Sequence, residues 1–154
     1  MRSKRIVQAL MTAAAIPAIV VGVSPQAFAG SGITWADVHT GYCLEYLTDA
    51  FGNLVEVQTN SCGGGNQDWA DYQNSDGSWF EKAGGKNVCL TMYSDHDVYL
   101  EGCRGNDWER WYEERQSDGH WKLKNKATGW YLDSNWNHEV YGEPANAGDY
   151  QEWK

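Results

Sequence analysis

Positive charge is scarce in this sequence. Of 154 residues only 12 are Lys or Arg, against 21 Asp or Glu. Three of the basic residues, Arg2, Lys4 and Arg5, stand at the very start, so the remainder carries nine basic and 21 acidic residues, a formal net charge of −12. A chain this acidic repels a phosphate backbone and an anionic bilayer surface, which excludes nucleic acid as a partner class. Long apolar runs are missing too, with the exception of Ile6 to Val23. That run follows the basic start, is broken by Gln8, Thr12 and Pro17, and leads into Ala27-Phe28-Ala29, a small-x-small cleavage pattern. The layout is that of a bacterial-style secretory signal peptide, and no membrane insertion is expected. Close cysteine pairs are lacking, so neither a redox pair nor a thiolate zinc site is indicated. No Gly-x-Ser-x-Gly elbow occurs, no two acidic residues stand out as a glycosidase couple, and no helix-length window carries an apolar stripe. The expectation is a protein with no enzymatic activity, no cofactor and no metal.

Removing residues 1–29 leaves 125 residues, 30–154, the size of a single domain. All four cysteines, Cys43, Cys62, Cys89 and Cys103, lie in that exported part, where disulfides are the rule. Four cysteines allow three pairings.

One internal offset dominates. Trp69, Trp111 and Trp153 stand 42 residues apart, and the same shift carries Ser75-Asp76-Gly77-x-Trp79 onto Ser117-Asp118-Gly119-x-Trp121. It also carries Leu90 onto Leu132, Val98-Tyr99 onto Val140-Tyr141, Glu101 onto Glu143 and Asp107 onto Asp149. The domain therefore divides into three copies, approximately 33–78, 79–120 and 121–154, with Thr48 to Asn53 inserted in the first. Within each copy the apolar residues alternate, as in Val55-x-Val57, Val98-x-Leu100 and Trp121-x-Leu123, between turn clusters such as Asn74 to Gly77. That is strand period, so the domain is all-β. A propeller needs at least four such units to close, whereas this sequence has three and ends one residue after Trp153. Three units close as a β-trefoil with pseudo-three-fold symmetry, and Trp69, Trp111 and Trp153 are its expected core aromatics.

Gln67-Asp68-Trp69 and Gln151-Glu152-Trp153, with the variant Glu109-Arg110-Trp111, match the Gln-x-Trp signature of ricin B-chain type lectin repeats. Cys43-Leu44 and Cys89-Leu90 resemble the family's Cys-Leu strand, with Cys62 and Cys103 at its second cysteine. Residues 33 to 154 thus resemble a small member of that family. The resemblance implies disulfides Cys43–Cys62 and Cys89–Cys103. The repeats agree, because the 42-residue shift puts Tyr131 and Ala145 where copy two has its cysteines, so copy three has lost both together. Each bridge is expected to contribute about 3 kcal/mol.

The resemblance also implies, in each sugar-binding copy, an acid after the Cys-Leu strand, a stacking aromatic two positions before the second cysteine and an Asn before the Gln-x-Trp. Copy one offers Glu45, Asn60 and Asn66; copy two Thr91, Glu101 and Trp108; copy three Asp133, Glu143 and Tyr150. None has an aromatic at the stacking position, so the family's sugar sites are degenerate here, and only copy three keeps the Asp. An aromatic platform for a sugar's C–H face must then come from Trp136 or Tyr141, beside Asp133 and Asn135. The site expected is therefore Asp133, Asn135, Trp136, Tyr141 and Tyr150, with Glu45, Asn60 and Asn66 as a second candidate. Gln67, Glu109 and Gln151 are read as structural, His96 and His138 as solvated turns, and Gly84-Gly85-Lys86 as a turn.

Two functions fit these residues: a secreted lectin-like module binding glycan, or a trefoil scaffold serving as adaptor, inhibitor or toxin-complex subunit, its partner a secreted or cell-surface protein. Mass spectrometry of exported protein should show a chain starting at Gly30, with disulfide-linked peptides only within copies one and two.

Overall fold

The computed structural model describes residues 27–154. Residues 1–26 of the expected leader lie outside the described residues. Eleven strands are described: β1 (Ala27–Ile33), β2 (Tyr42–Thr48), β3 (Leu54–Ser61), β4 (Trp69–Gln73), β5 (Trp79–Ala83), β6 (Val88–Met92), β7 (Val98–Gly102), β8 (Trp111–Arg115), β9 (Trp121–Asn125), β10 (Tyr131–Ser134) and β11 (Val140–Glu143). Two single 3₁₀ turns, Asp107–Glu109 and Asp149–Gln151, are the only helical pieces among them. Cleavage after Ala29 would trim three residues from β1 and leave Gly30–Ile33.

The register shows how three copies make one body. Trp69 pairs with Ile33 at the start of its own copy and with Ala83 in the next; Trp111 pairs with Trp79 and Asn125 in the same way. Trp153 completes the pattern by bridging Trp121 of its own copy and Asp37 of the first. The ring of strands therefore closes through the last tryptophan. All three indoles are fully buried. Each donates its Nε1–H to the carbonyl of a leucine in the first strand of its copy's hairpin: Trp69 to Leu44 at 3.1 Å, Trp111 to Leu90 at 2.9 Å and Trp153 to Leu132 at 3.2 Å. A buried indole N–H needs an acceptor, and the repeat supplies the same one three times. Leu44, Leu90 and Leu132 are themselves fully buried and complete the core with Met92, Leu123 and Val57.

One hairpin per copy stands beside this ring: β2/β3, β6/β7 and β10/β11. The first two are stapled by Cys43–Cys62 and Cys89–Cys103, the pairing expected from the repeats. Copy three instead has Tyr131, whose hydroxyl donates to Glu114 at 2.9 Å. The turns β4–β5 and β8–β9 are built alike. Asp76 accepts from Ser78 N–H and Asp118 from His120 N–H, and Gly77 and Gly119 supply the positive φ between them. The insertion in copy one folds on Asp49, which accepts from the N–H groups of Phe51 and Asn53 and leaves Phe51 90% exposed. Gly84-Gly85-Lys86 is a turn, with Lys86 N–H bonded to Ala83 O.

The signature glutamines hold the backbone. Gln67 accepts from Gly63 N–H and donates to Ser61 O; Gln151 accepts from Asn146 N–H and donates to Pro144 O. Glu109, at the same place in copy two, accepts from Arg104 N–H, Gly105 N–H and the Asn106 amide. His96 and His138 do lie in turns, His96 exposed and His138 half-buried, but they are more than solvated loops. Their rings reach across copies: His96 Nδ1 lies 2.8 Å from Gly142 O and His138 Nδ1 2.8 Å from Thr59 O. Both stand in the left-handed region, φ 75° and 70°, which directs each ring to the neighbouring hairpin.

Trp153→Ala should lower stability by about 3–5 kcal/mol, as much as Trp69→Ala or Trp111→Ala, although residue 153 is penultimate. Trp136→Ala, at a side chain 54% exposed, should leave the melting temperature nearly unchanged. Thermal melts of the four variants check this.

Candidate binding surface

The residues expected to form the copy-three site fall into two adjoining groups. Asp133 on β10 and Tyr141 on β11 are direct cross-strand partners. Asp133 is only 4% exposed, and the Asn146 amide donates to its Oδ2 at 3.4 Å. Burial pushes its carboxyl above the usual range, partly countered by hydrogen bonds from Gln151, Asn146 and Tyr141. Tyr141 is pushed up to about 12, first by burial and then by the neighbouring Asp133 charge. Its phenol therefore stays protonated and donates, with Ser134 O at 3.3 Å as a second acceptor.

The second group is aromatic and spans two copies. Trp136 lies edge-on to His39 at 6.0 Å and to Tyr42 at 5.7 Å, and Tyr150 packs on His39 at 3.9 Å. Tyr42 in turn stacks on His138 at 4.6 Å. Tyr150 precedes Gln151, one of the groups bonded to Asp133, so the two groups meet at the Asp149–Gln151 turn. Asn135 joins neither: its side chain is committed to its own turn, accepting from Asn137 N–H and donating to Glu139 at 2.6 Å. Three members of this surface were not singled out from sequence. Asn146 follows the lost cysteine position, outside any repeat match, and His39 and Tyr42 belong to copy one and reach copy three only through ring closure.

In copy one, Glu45 accepts from Gln58 at 2.8 Å and from Asn60 at 3.0 Å. Asn66 does not join them through its side chain; it adopts φ 64° and its carbonyl accepts from Tyr46 N–H. In copy two, Thr91 is fully buried and turns its hydroxyl to Cys89 O, while Tyr93 donates to Glu101 and packs on Trp108. A cavity of about 590 Å³ opens where the three hairpins meet, its walls drawn from all three copies: Val57 and Gln58, Val98 and Tyr99, Val140 and Tyr141 among them. Tyr141 is common to this cavity and to the Asp133 group.

Among solved structures the chain is similar to a designed three-fold symmetric protein, ThreeFoil, with TM-score 0.70 and 23% identity over 79% of this chain and 94% of that one. It is also similar to SeviL, in a structure with the asialo-GM1 saccharide, with TM-score 0.62 and 20% identity over 78% of this chain and 91% of that one. The fold is a β-trefoil. No protein-family model and no curated protein matches the sequence. The trefoil places the hairpins in equivalent settings, and besides the insertion in copy one and the bridges of copies one and two the three surfaces differ in their side chains: acid, amide and phenol in copy three, acid and two amides in copy one, and a buried threonine in copy two. The Asn146 amide depends on the loop that Gln151 braces. Gln151→Ala, which leaves Asn146 N–H and Pro144 O without that partner, should cost about 1–3 kcal/mol in urea unfolding with an unchanged m-value.

Proposed function

We propose that this protein is a secreted, non-catalytic carbohydrate-binding module whose main site lies in copy three. The observation that carries the reading is the meeting of a buried, hydrogen-bonded carboxylate with a partly exposed aromatic cluster at the Asp149–Gln151 turn. Sugars present hydroxyls that both donate and accept, and C–H faces that pack on rings. Asp133 serves as the floor that orients the exposed Asn146 amide and the Tyr141 phenol. Trp136, 54% exposed, and Tyr150 supply the apolar faces. The scaffold is compatible with this role, since SeviL shares the fold and is bound to the asialo-GM1 saccharide. Glu45 with Gln58 and Asn60 forms a lesser polar site in copy one, without a ring of its own. Secretion is supported by the amino-terminal leader and by the two disulfides, which suit an oxidising compartment.

A glycan array on the mature protein, followed by calorimetry on the best ligand, tests this. Asp133→Asn, Asn146→Ala and Trp136→Ala should each weaken binding by about 1–3 kcal/mol, roughly 5- to 150-fold in Kd, while Thr91→Ala leaves it unchanged. A blank array together with capture of one protein from the secreted fraction would replace this reading with that of a protein-binding scaffold.

A further inference from the structure

Copy two breaks the symmetry of the barrel at a single layer. Trp35, Glu81 and Leu123 occupy equivalent positions in the three copies, and all are buried. Two are apolar and the third is a carboxylate with no exposure at all. Its direct cross-strand partner is another acid, Asp71, and Glu113 on β8 stands where Asp71 stands on β4. Like charges placed opposite one another on a sheet repel, and an interior of low dielectric enlarges that repulsion. Among the described residues no lysine or arginine forms an ion pair with any of the three.

The oxygens themselves show what compensates them. The Trp35 indole donates to Glu81 Oε2 at 3.0 Å, which fixes the carboxylate and leaves Oε1 with no partner. Asp71 Oδ1 and Glu113 Oε1 are likewise buried without an N–H or hydroxyl donor, and both carboxyls face that of Glu81. One oxygen from each residue lies within 4.8 Å of the others. Ligands on opposite sides of a calcium ion, at 2.3–2.6 Å each, are at most about 5 Å apart, so one ion can touch all three.

We propose that Asp71, Glu81 and Glu113 form a binding site for a single divalent cation of the calcium class inside the barrel. The donors are all hard oxygens, which selects against zinc and copper. Only three come from protein, so water completes the shell, reaching it past the half-buried Glu113. Calcium tolerates such a mixed, irregular shell; magnesium demands a regular octahedron. Three negative charges against two positive ones leave a residual of one rather than three. The site is independent of the glycan reading, since it lies on strands β4, β5 and β8 and shares no residue with the copy-three surface.

The test uses the mature protein stripped with EDTA. At pH 7.5, millimolar calcium should raise the melting temperature by several degrees over EDTA, magnesium should do less, and calorimetry should count one ion per chain. Bound terbium, a calcium substitute, should luminesce on tryptophan excitation because Trp35 touches Glu81, and calcium should displace it. Glu81→Gln should abolish the calcium response while raising stability in EDTA. Should that variant fold poorly, Glu113→Gln, at a half-buried position, should weaken calcium binding at least tenfold. Asp118→Asn, in the separate group of Asp118, His120 and Glu152 at the surface, should change nothing. Protons are the competing compensation: without a cation, burial and the neighbouring charges push Glu81 well up and bring Glu113 to about 7. Equal melting temperatures in calcium and EDTA, with stability rising as pH falls from 7.5 to 5.5, would overturn the proposal in favour of a proton-sharing cluster. A calcium response lost in Asp118→Asn but kept in Glu81→Gln would overturn it as well.

Discussion

Everything in this molecule depends on three indole N–H groups finding three leucine carbonyls. A buried tryptophan brings a large apolar surface and one polar group that must be satisfied, and each copy meets both demands with the same two residues. The hydrogen bond ties the tryptophan of a copy to the first strand of that copy's hairpin, so each unit carries its own internal lock. The registers Trp69 with Ala83, Trp111 with Asn125 and Trp153 with Asp37 then join copy to copy. Hairpins, disulfides and surface groups are arranged around that frame, and the loops between them vary freely because the frame does not rely on them.

This division explains which parts were legible in the amino-acid sequence. The tryptophans, the Cys-Leu strands, the bracing glutamines and the Ser-Asp-Gly turns belong to the repeat, and repetition makes the first visible three times and the others twice. The copy-three surface was only half legible. Asp133, Trp136, Tyr141 and Tyr150 come together as two adjoining groups, whereas Asn135 serves its turn. His39 and Tyr42 were missed because ring closure, which no local pattern reports, brings copy one against copy three. The cluster of Asp71, Glu81 and Glu113 was missed for a related reason. It combines a cross-strand pair that joins copy one to copy two, Asp71 and Glu81, with Glu113 on a third strand, and its members look like ordinary polar positions until pairing turns them to one interior point.

The two histidine contacts show how a repeat can acquire function between its copies. His96 and His138 are equivalent residues, and each spends a ring nitrogen on the backbone of the following hairpin, copy two to copy three and copy three to copy one. Their left-handed backbone is tolerated because the fold holds it from both sides. His138 also borders the shared cavity and, through the stacking of Tyr42 on its ring, supports the aromatic cluster near Asp133.

The third place in that series belongs to Val55, which is 55% exposed and has no ring nitrogen to offer. Two of the three seams between hairpins therefore carry a histidine–carbonyl contact and the third does not. That third seam is instead the most closely packed of the three, with β3 of copy one lying along β7 of copy two, so strand packing there does what the histidine contacts do elsewhere. The cavity between the hairpins is therefore framed by two unlike kinds of joint, backbone-anchored imidazoles at two seams and strand packing at the third, within an almost three-fold symmetric architecture.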